Sequence, residues 1–450
     1  MTSSSIVKRK SKGQSIGLTF LENNYIRGWP AELDQNIIDE GGKCNMQRRT
    51  FTILVFAFVI MFFSSSVFGQ SAKSPGSEAT PIRIGGALSL TGAWGEAGKW
   101  VKAGYDAWLE EINKKGGLLS RPVEMVVYDN ESNTEKAVTY YERAITIDKV
   151  DLIFGGVPGT ANVAIMPLAE KYGKVFVGLG GHMKSFEQGY TYVFASPPLM
   201  ADWSYLSLTG VLDDLIPKAN WPKSIAVLTM NSVTGLSGRA PMIKGMEERG
   251  IKVVVDETYN LPLSDATPLI SKAKERSAEI LCCYSVFDDG AMMMRAAKAL
   301  RYNPKIIWQL VASKVPAWIK ELGEDGNHVL TDTSWAADLP YPGNTQINEG
   351  AKQRLGIPRP PDFYGLGYCW MKTLEMAVQG AGTLDNKMIR DYIRSTKFDL
   401  PYGKGITFDQ RGLPPPFCFA FQTTTGQNKL VWPKEVATAK LVYPRPPWSQ

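Results

Sequence analysis

From Pro81 onward, short apolar runs alternate with amphipathic segments, and this rhythm constrains the fold more than any other feature of the chain. Runs of strand length, each followed by a segment of helical period, describe strand–helix units around parallel sheets, because parallel neighbours must be joined by a crossover. The pattern predicts a strand over 82–90, a Thr91-Gly92-Ala93-Trp94-Gly95 turn, and a helix on which Val101, Tyr105, Trp108 and Ile112 recur until Gly116-Gly117 stops it. A strand over 123–128, a helix over 134–147 and a strand over 152–154 come next. The loop Gly155-Gly156-Val157-Pro158-Gly159-Thr160 then leads into a helix to Lys171 and a strand over 175–177. After Ser196-Pro197-Pro198 the rhythm restarts, with helices over 204–216, 241–249 and 292–300 and strands over 225–228, 253–258, 280–284 and 306–310. A long apolar helix over 364–379 and a Pro-rich tail from Pro414 with one strand over 417–421 follow. The fold class is therefore α/β with two doubly wound lobes; no short repeat exists to suggest a solenoid or propeller.

At 450 residues the chain has room for two or three domains with proper cores. Its 44% apolar and 21% charged residues exclude disordered, collagenous and multi-span membrane classes. Setting aside the first 70 residues leaves 42 Lys+Arg against 39 Asp+Glu, a balance that argues against a nucleic-acid surface. Those first residues carry their own signal. Arg48-Arg49 precede an uncharged apolar run over 51–63 and then Ser64-Ser65-Ser66-Val67-Phe68-Gly69. This reads as a secretory signal peptide over 46–69 cut near Gly69, since the run is short for a bilayer span and the small residues suit a cleavage site. Met46 is then the expected initiator and 1–45 an over-extended start. The expected mature protein is free in a periplasm, because no cysteine follows the apolar run to carry a lipid. Cys282, Cys283, Cys369 and Cys418 remain; the first two read as small buried strand residues.

Three motifs together resemble the periplasmic branched-chain amino acid and amide-type solute-binding proteins of ABC transporters. They are Ile84-Gly85-Gly86-Ala87-Leu88-Ser89-Leu90-Thr91-Gly92, Glu111-Ile112-Asn113-Lys114-Lys115-Gly116-Gly117 and Tyr128-Asp129-Asn130-Glu131-Ser132-Asn133. The resemblance implies a type I flytrap, with 81–198 and 336–403 as lobe 1, 199–335 and 404–450 as lobe 2, and crossings near Pro197, Ser334 and Gly403. It also implies a small-molecule ligand in the interlobe cleft and a membrane permease as partner. A monomer without cofactor or metal is expected.

Ligands of open α/β sheets sit beyond the carboxyl ends of the strands. Gly159 and Thr160 match the family's loop that grips a carboxylate or amide; the plainer role of Thr160 is a helix cap. Gly180, Gly181 and His182 fall after the next strand, where glycines permit close backbone approach, or serve only as a turn. Trp94 matches an aromatic that the family lays over the ligand, and the alternative is a packing role. Thr234 and Phe287 fall where amino-acid binders place tyrosines. Asp288-Asp289 read as a helix-capping pair. The family's ammonium-binding acid aligns with Leu310-Val311-Ala312, so a free amino acid, whose ammonium would lack a carboxylate, is disfavoured relative to a small carboxylate or amide, aromatic bodies included. The family's lobe-one disulfide is also missing, its positions reading as Ser132 and Pro158.

A dinucleotide-dependent enzyme is the competitor from another class. The chain has no G-x-G-x-x-G after its first strand, no H-E-x-x-H or G-x-S-x-G, and two histidines in all, His182 and His328, so catalysis lacks its usual parts. A flytrap that reports its ligand to a receptor is the other alternative.

Overall fold

The computed structural model describes residues 80–198 and 201–449. The expected start over 1–45 and signal peptide over 46–69 lie outside the described residues. One sheet is built from β1 (Ile82–Leu88), β2 (Val123–Asp129), β3 (Leu152–Phe154), β4 (Phe176–Gly178) and β5 (Val193–Ala195), with α1 (Gly95–Lys114), α2 (Thr134–Thr146) and α3 (Gly159–Tyr172) as crossovers. Its order is β2-β1-β3-β4-β5, parallel throughout.

After α4 (Tyr205–Leu215) the chain builds a second sheet. It runs β6 (Ser224–Met230), α5 (Val233–Glu247), β7 (Lys252–Tyr259), α6 (Thr267–Glu275), β8 (Ile280–Tyr284), α7 (Phe287–Ala299), β9 (Ile306–Gln309), α8 (Ala317–Leu322) and β10 (Val329–Thr333). Next come α9 (Asn344–Leu355), α10 (Asp362–Ala381), α11 (Asn386–Ser395) and the antiparallel pair β11 (Phe398–Leu400) and β12 (Gly403–Ile406). Finally β13 (Phe419–Thr424) and β14 (Gln427–Trp432) join the second sheet antiparallel beside β10, giving β14-β13-β10-β9-β8-β6-β7. The expected α/β class with two doubly wound units holds, and in each the parallel strands follow one winding order, with the first strand of the unit lying between its second and third.

The strands form where both faces find cover. Every residue of β6 and of β8 is buried, as the unbroken apolar runs demand of a strand between two helical layers. On the first sheet, α1 turns Val101, Tyr105, Trp108 and Ile112 inward, and α10 packs lengthwise along α1. Gly104 of α1 and Gly367 of α10 make this approach possible, since a Cβ on either would strike the other helix's backbone. Trp108 donates through Nε1 to Glu375 at 2.8 Å and Tyr368 donates to Glu111 at 2.5 Å, tying the pair with polar contacts.

Three crossings join the two sheets. At the first, Ser196 hydrogen-bonds Thr373 at 2.8 Å and Tyr402 at 2.6 Å. At the second, Ser334 donates to the Pro198 carbonyl at 3.2 Å, so these two strands of the hinge lie side by side. The third is displaced from the expected position near Gly403. β12 returns along β11, Phe408 stacks edge-on against Phe194, and the Gly412 carbonyl accepts from Ala195 N at 3.0 Å, so the chain stays on the first sheet through Leu413. It crosses over 414–417, where three prolines precede Phe417. The Pro-rich tail also holds two strands, β13 and β14, where one was expected over 417–421.

Two helices begin earlier than their apolar patterns suggest. α5 starts at Val233 behind Ser232, whose side chain accepts from Gly235 N at 3.1 Å, and carries Pro241 in its interior rather than at its start. α7 starts at Phe287 rather than near Met292. Both shifts move candidate binding residues, Thr234 and Phe287, from loops into first helical turns.

Candidate functional site

A sheet whose first strand lies between its second and third has a crevice where successive crossovers leave in opposite directions, at the carboxyl ends of the strands on either side. In the first sheet that crevice lies between β1 and β3, at the turn over 89–94 and the loop over 155–160. In the second it lies between β6 and β8, at 231–234 and 285–287. All eight candidate residues fall on these loops or on the neighbouring one after β4.

The β1–α1 turn is held from below by the 128–133 motif. Asp129 accepts from Leu90 N at 3.0 Å and from the Thr91 hydroxyl at 2.8 Å, Ser89 donates to Asn130 at 2.7 Å, and Ser132 donates to the Thr91 carbonyl at 2.6 Å while accepting from Trp94 N at 3.0 Å. The Ser132 hydroxyl thus tethers the turn to this motif. Burial pushes the Asp129 carboxyl up, but the donors from Glu131, Thr91 and Leu90 outweigh it and hold the group below the usual carboxylate range.

The β3–α3 loop is pinned by Asn162, 1% exposed, which accepts from Gly156 N at 3.1 Å and donates to Gly156 O at 2.7 Å. Tyr105 and Tyr141 donate to the carbonyls of Gly155 and Phe154. The residue before α3 is Pro158, which offers no side-chain cap. Thr160 is therefore not the cap; its half-buried side chain lies in the first turn, at the positive end of a helix whose first turn holds no acid.

Gly159, Gly181 and Thr234 meet. A Cβ on Gly159 would lie 2.9 Å from Gly181 Cα and 3.2 Å from Thr234 Oγ1, so loops of the first sheet touch α5 of the second. Gly181 has φ +89, and a Cβ there would sit 2.7 Å from Val163 Cγ2; only glycine fits this close passage. Gly180 is also left-handed at φ +72. The Thr234 hydroxyl is buried without a hydrogen-bond partner. His182 has a local duty: its Nδ1 accepts from Lys184 N at 3.1 Å, capping the short helical turn over 183–187.

Other loops of the two sheets line a cavity of about 890 Å³. Thr91, Gly92 and Trp100 line it from the first sheet, and Phe287, Asp288 and Lys320 from the second. Phe287 is thus a cavity residue. Trp94 is not: it is 7% exposed and belongs to the hydrophobic core. Its backbone N–H donates to Ser132 where α1 begins at Gly95, and its ring packs into the core. The aromatic that faces the cavity is Trp100, one position off the inward stripe of α1, and that offset is the signal that could have found it.

The acid pair Asp288-Asp289 does not cap α7. Val286 precedes the helix, and the buried Asp289 accepts instead from Leu263 N at 3.1 Å, its carboxyl raised chiefly by burial. Asp288 stays exposed at the cavity. The segment over 310–312 is apolar and buried, as read from sequence. Among the described residues no group of acidic, histidine and cysteine side chains is arranged to hold a metal, and the four cysteines are buried and free.

The family model described as periplasmic binding protein matches residues 81–428. The leucine-, isoleucine-, valine-, threonine- and alanine-binding protein of Pseudomonas aeruginosa is 22% identical over 354 residues, 78% of this chain and 91% of the relative. The crystal structure of a leucine-binding protein, LivK, from Thermotoga maritima superposes with TM-score 0.70 at 22% identity, covering 78% of this chain and 97% of that one. A solute-binding protein from R. palustris in complex with benzoate superposes with TM-score 0.69 at 15% identity, covering 81% and 98%. A family match over most of the described residues, joined to two doubly wound sheets whose crevices converge, identifies the chain as a member of the periplasmic binding protein family, of the type I, branched-chain amino acid ABC-transporter kind.

Proposed function

We propose that this chain captures a small carboxylate or amide with an apolar body between its two sheets and delivers it, from the periplasm and as a monomer, to an ABC-transporter permease. The observation that carries this reading is the cavity that Trp100 and Phe287 share, lined from both sheets, while Gly159, Gly181 and Thr234 converge at another point between the same sheets. The α3 N-terminus and the hydroxyls of Thr160 and Thr234 supply donors suited to a carboxylate or carbonyl oxygen. The two rings supply apolar walls for the rest of the ligand. The apolar segment over 310–312 supports discrimination against a free ammonium. The benzoate complex of the R. palustris neighbour and the amino acids named for the P. aeruginosa relative mark the two ends of this choice.

One observation favours the second reading. Asp288 lines the cavity with an exposed carboxylate, and such a group near the ligand would accept an ammonium. A thermal-shift series of benzoate, a short aliphatic amide, leucine and valine separates the two, since a ligand specific for the folded state raises the melting temperature. Benzoate or the amide should stabilise and leucine should not. Stabilisation by leucine that is lost in Asp288→Asn selects the amino-acid reading.

A further inference from the structure

At the hinge, a separate pocket of about 280 Å³ is lined by the segment after β9, the second crossing, the start of α10 and the β13–β14 hairpin. It borders the cleft through one shared residue, Pro316. Trp335 and Pro361 are among its walls, and its polar lining includes Ser313, Lys314, Arg359 and Asp362. Lys314 and Asp332 pair at 2.9 Å with side-chain exposures of 1% and 3%. Although close, Lys314 Nζ and Asp332 Oδ1 are not aligned as a hydrogen bond, so the ammonium keeps donors unspent. Ser313 Oγ and Asp362 Oδ1 are likewise buried without a partner. Buried polar groups are normally satisfied, and this many left open around one void mark a place where something else supplies the partners.

We infer that this hinge cavity is a second ligand site, in which Lys314, Ser313 and Asp362 hold the head of a small monocarboxylate and Trp335 and Pro361 enclose its apolar body. The Lys314 charge is cancelled by Asp332 and that of Arg359 by its ion pair with Asp338, so the site is donor-rich without a large net charge. Asp362 completes it when protonated. Burial raises its carboxyl to about 7, with Lys314 opposing and Asp332 adding to the rise, while Thr333 donates to its other oxygen at 3.3 Å. A bound carboxylate beside Asp362 stabilises the protonated form further, so binding takes up a proton and weakens as pH rises through about 7. The walls come from elements on both sides of the hinge, and an occupant touches both.

Saturation-transfer NMR with propionate as probe tests this on the whole chain. Wild type should give transfer at pH 6 and an affinity that falls by up to about tenfold per pH unit above 7, the limit for uptake of one proton. The double variant Lys314→Met/Asp332→Asn, which removes the ion pair without leaving a lone buried charge, should weaken the pH-dependent component of binding at least fivefold, whereas Thr160→Ala should touch only a cleft-bound component. Should the double variant fail to fold, the isosteric Asp362→Asn decides: binding persists with a flat pH profile. Ala337→Leu, which fills the cavity from its lining, should abolish the pH-dependent part of the transfer and leave any cleft-bound part. An unchanged pH-dependent component in Ala337→Leu, an unchanged pH slope in Asp362→Asn, or loss of the pH-dependent component in Thr160→Ala alone overturns the assignment, the last by locating that component in the cleft.

Discussion

Replacing Trp94 and Trp100 in turn separates an aromatic that builds the fold from one that faces the ligand, although only five residues lie between them in the chain. Trp94 is 7% exposed in the core, whereas Trp100 is half-buried and lines the 890 Å³ cavity. Trp94→Ala removes a fully packed ring and leaves a hole that its neighbours cannot close, a loss of about 3–5 kcal/mol in stability. The donors of the cleft sit on other loops, so the ligand affinity of the remaining folded protein should change by less than about threefold. Trp100→Ala should cost about 1 kcal/mol of stability or less. It should weaken the ligand by about 1–3 kcal/mol, roughly 5- to 150-fold, through lost ring contact. Urea unfolding supplies the first quantity and calorimetry with the strongest ligand of the thermal-shift series the second. A crossed result, with Trp94→Ala stable but unable to bind, would refute the inward placement of that ring.

Further outcomes follow from other parts of the structure. Gly181→Ala should destabilise by about 2–4 kcal/mol, because an L side chain is strained at φ +89 and its Cβ meets Val163 at 2.7 Å; chemical denaturation measures it. Lys314→Met alone should cost about 3–5 kcal/mol by stranding the buried Asp332 carboxylate, and adding Asp332→Asn should recover most of that, as a double-mutant cycle would record. The depressed Asp129 carboxyl contributes stability above its unfolded pKa that is lost as pH falls through the folded value, so Asp129→Asn should flatten the acid limb of a stability profile and leave neutral pH upward parallel to wild type. The four cysteines of the described residues, each buried with its thiol pushed up by burial, should resist alkylation until the protein is unfolded, which mass spectrometry after iodoacetamide would reveal.

Sequence periodicity carried the architecture because several strands are wholly buried and largely apolar, like β6 and β8, or lead into a helix of clear period, as β1 leads into α1. It faltered where local chemistry outranks pattern. Pro241 reads as a helix start, yet tertiary packing accepts it inside α5, and the true start is a serine cap that no hydrophobic period announces. The third crossing was misplaced because 403–413 is polar and irregular; what fixes it to the first sheet is the contact of Phe408 with Phe194 and the Gly412 carbonyl, both long-range. At the candidate site, strand ends and glycines pointed to the loops at the two sheet crevices, since backbone geometry is written in residue type. Whether a ring on those loops faces in or out is decided by packing between segments far apart in sequence, as for Trp94, which joins the core. The Lys314–Asp332–Asp362 cluster was illegible for the same reason: its members come from three different elements.

The central claim is that a small molecule is held between the β1–α1 turn and the start of α7. Diffraction from crystals grown with the most stabilising ligand of the thermal-shift series tests it most directly. The account predicts ligand density contacting Thr160 or Thr234 with a polar head and Trp100 or Phe287 with its body; density confined elsewhere, with these four residues untouched, would contradict it.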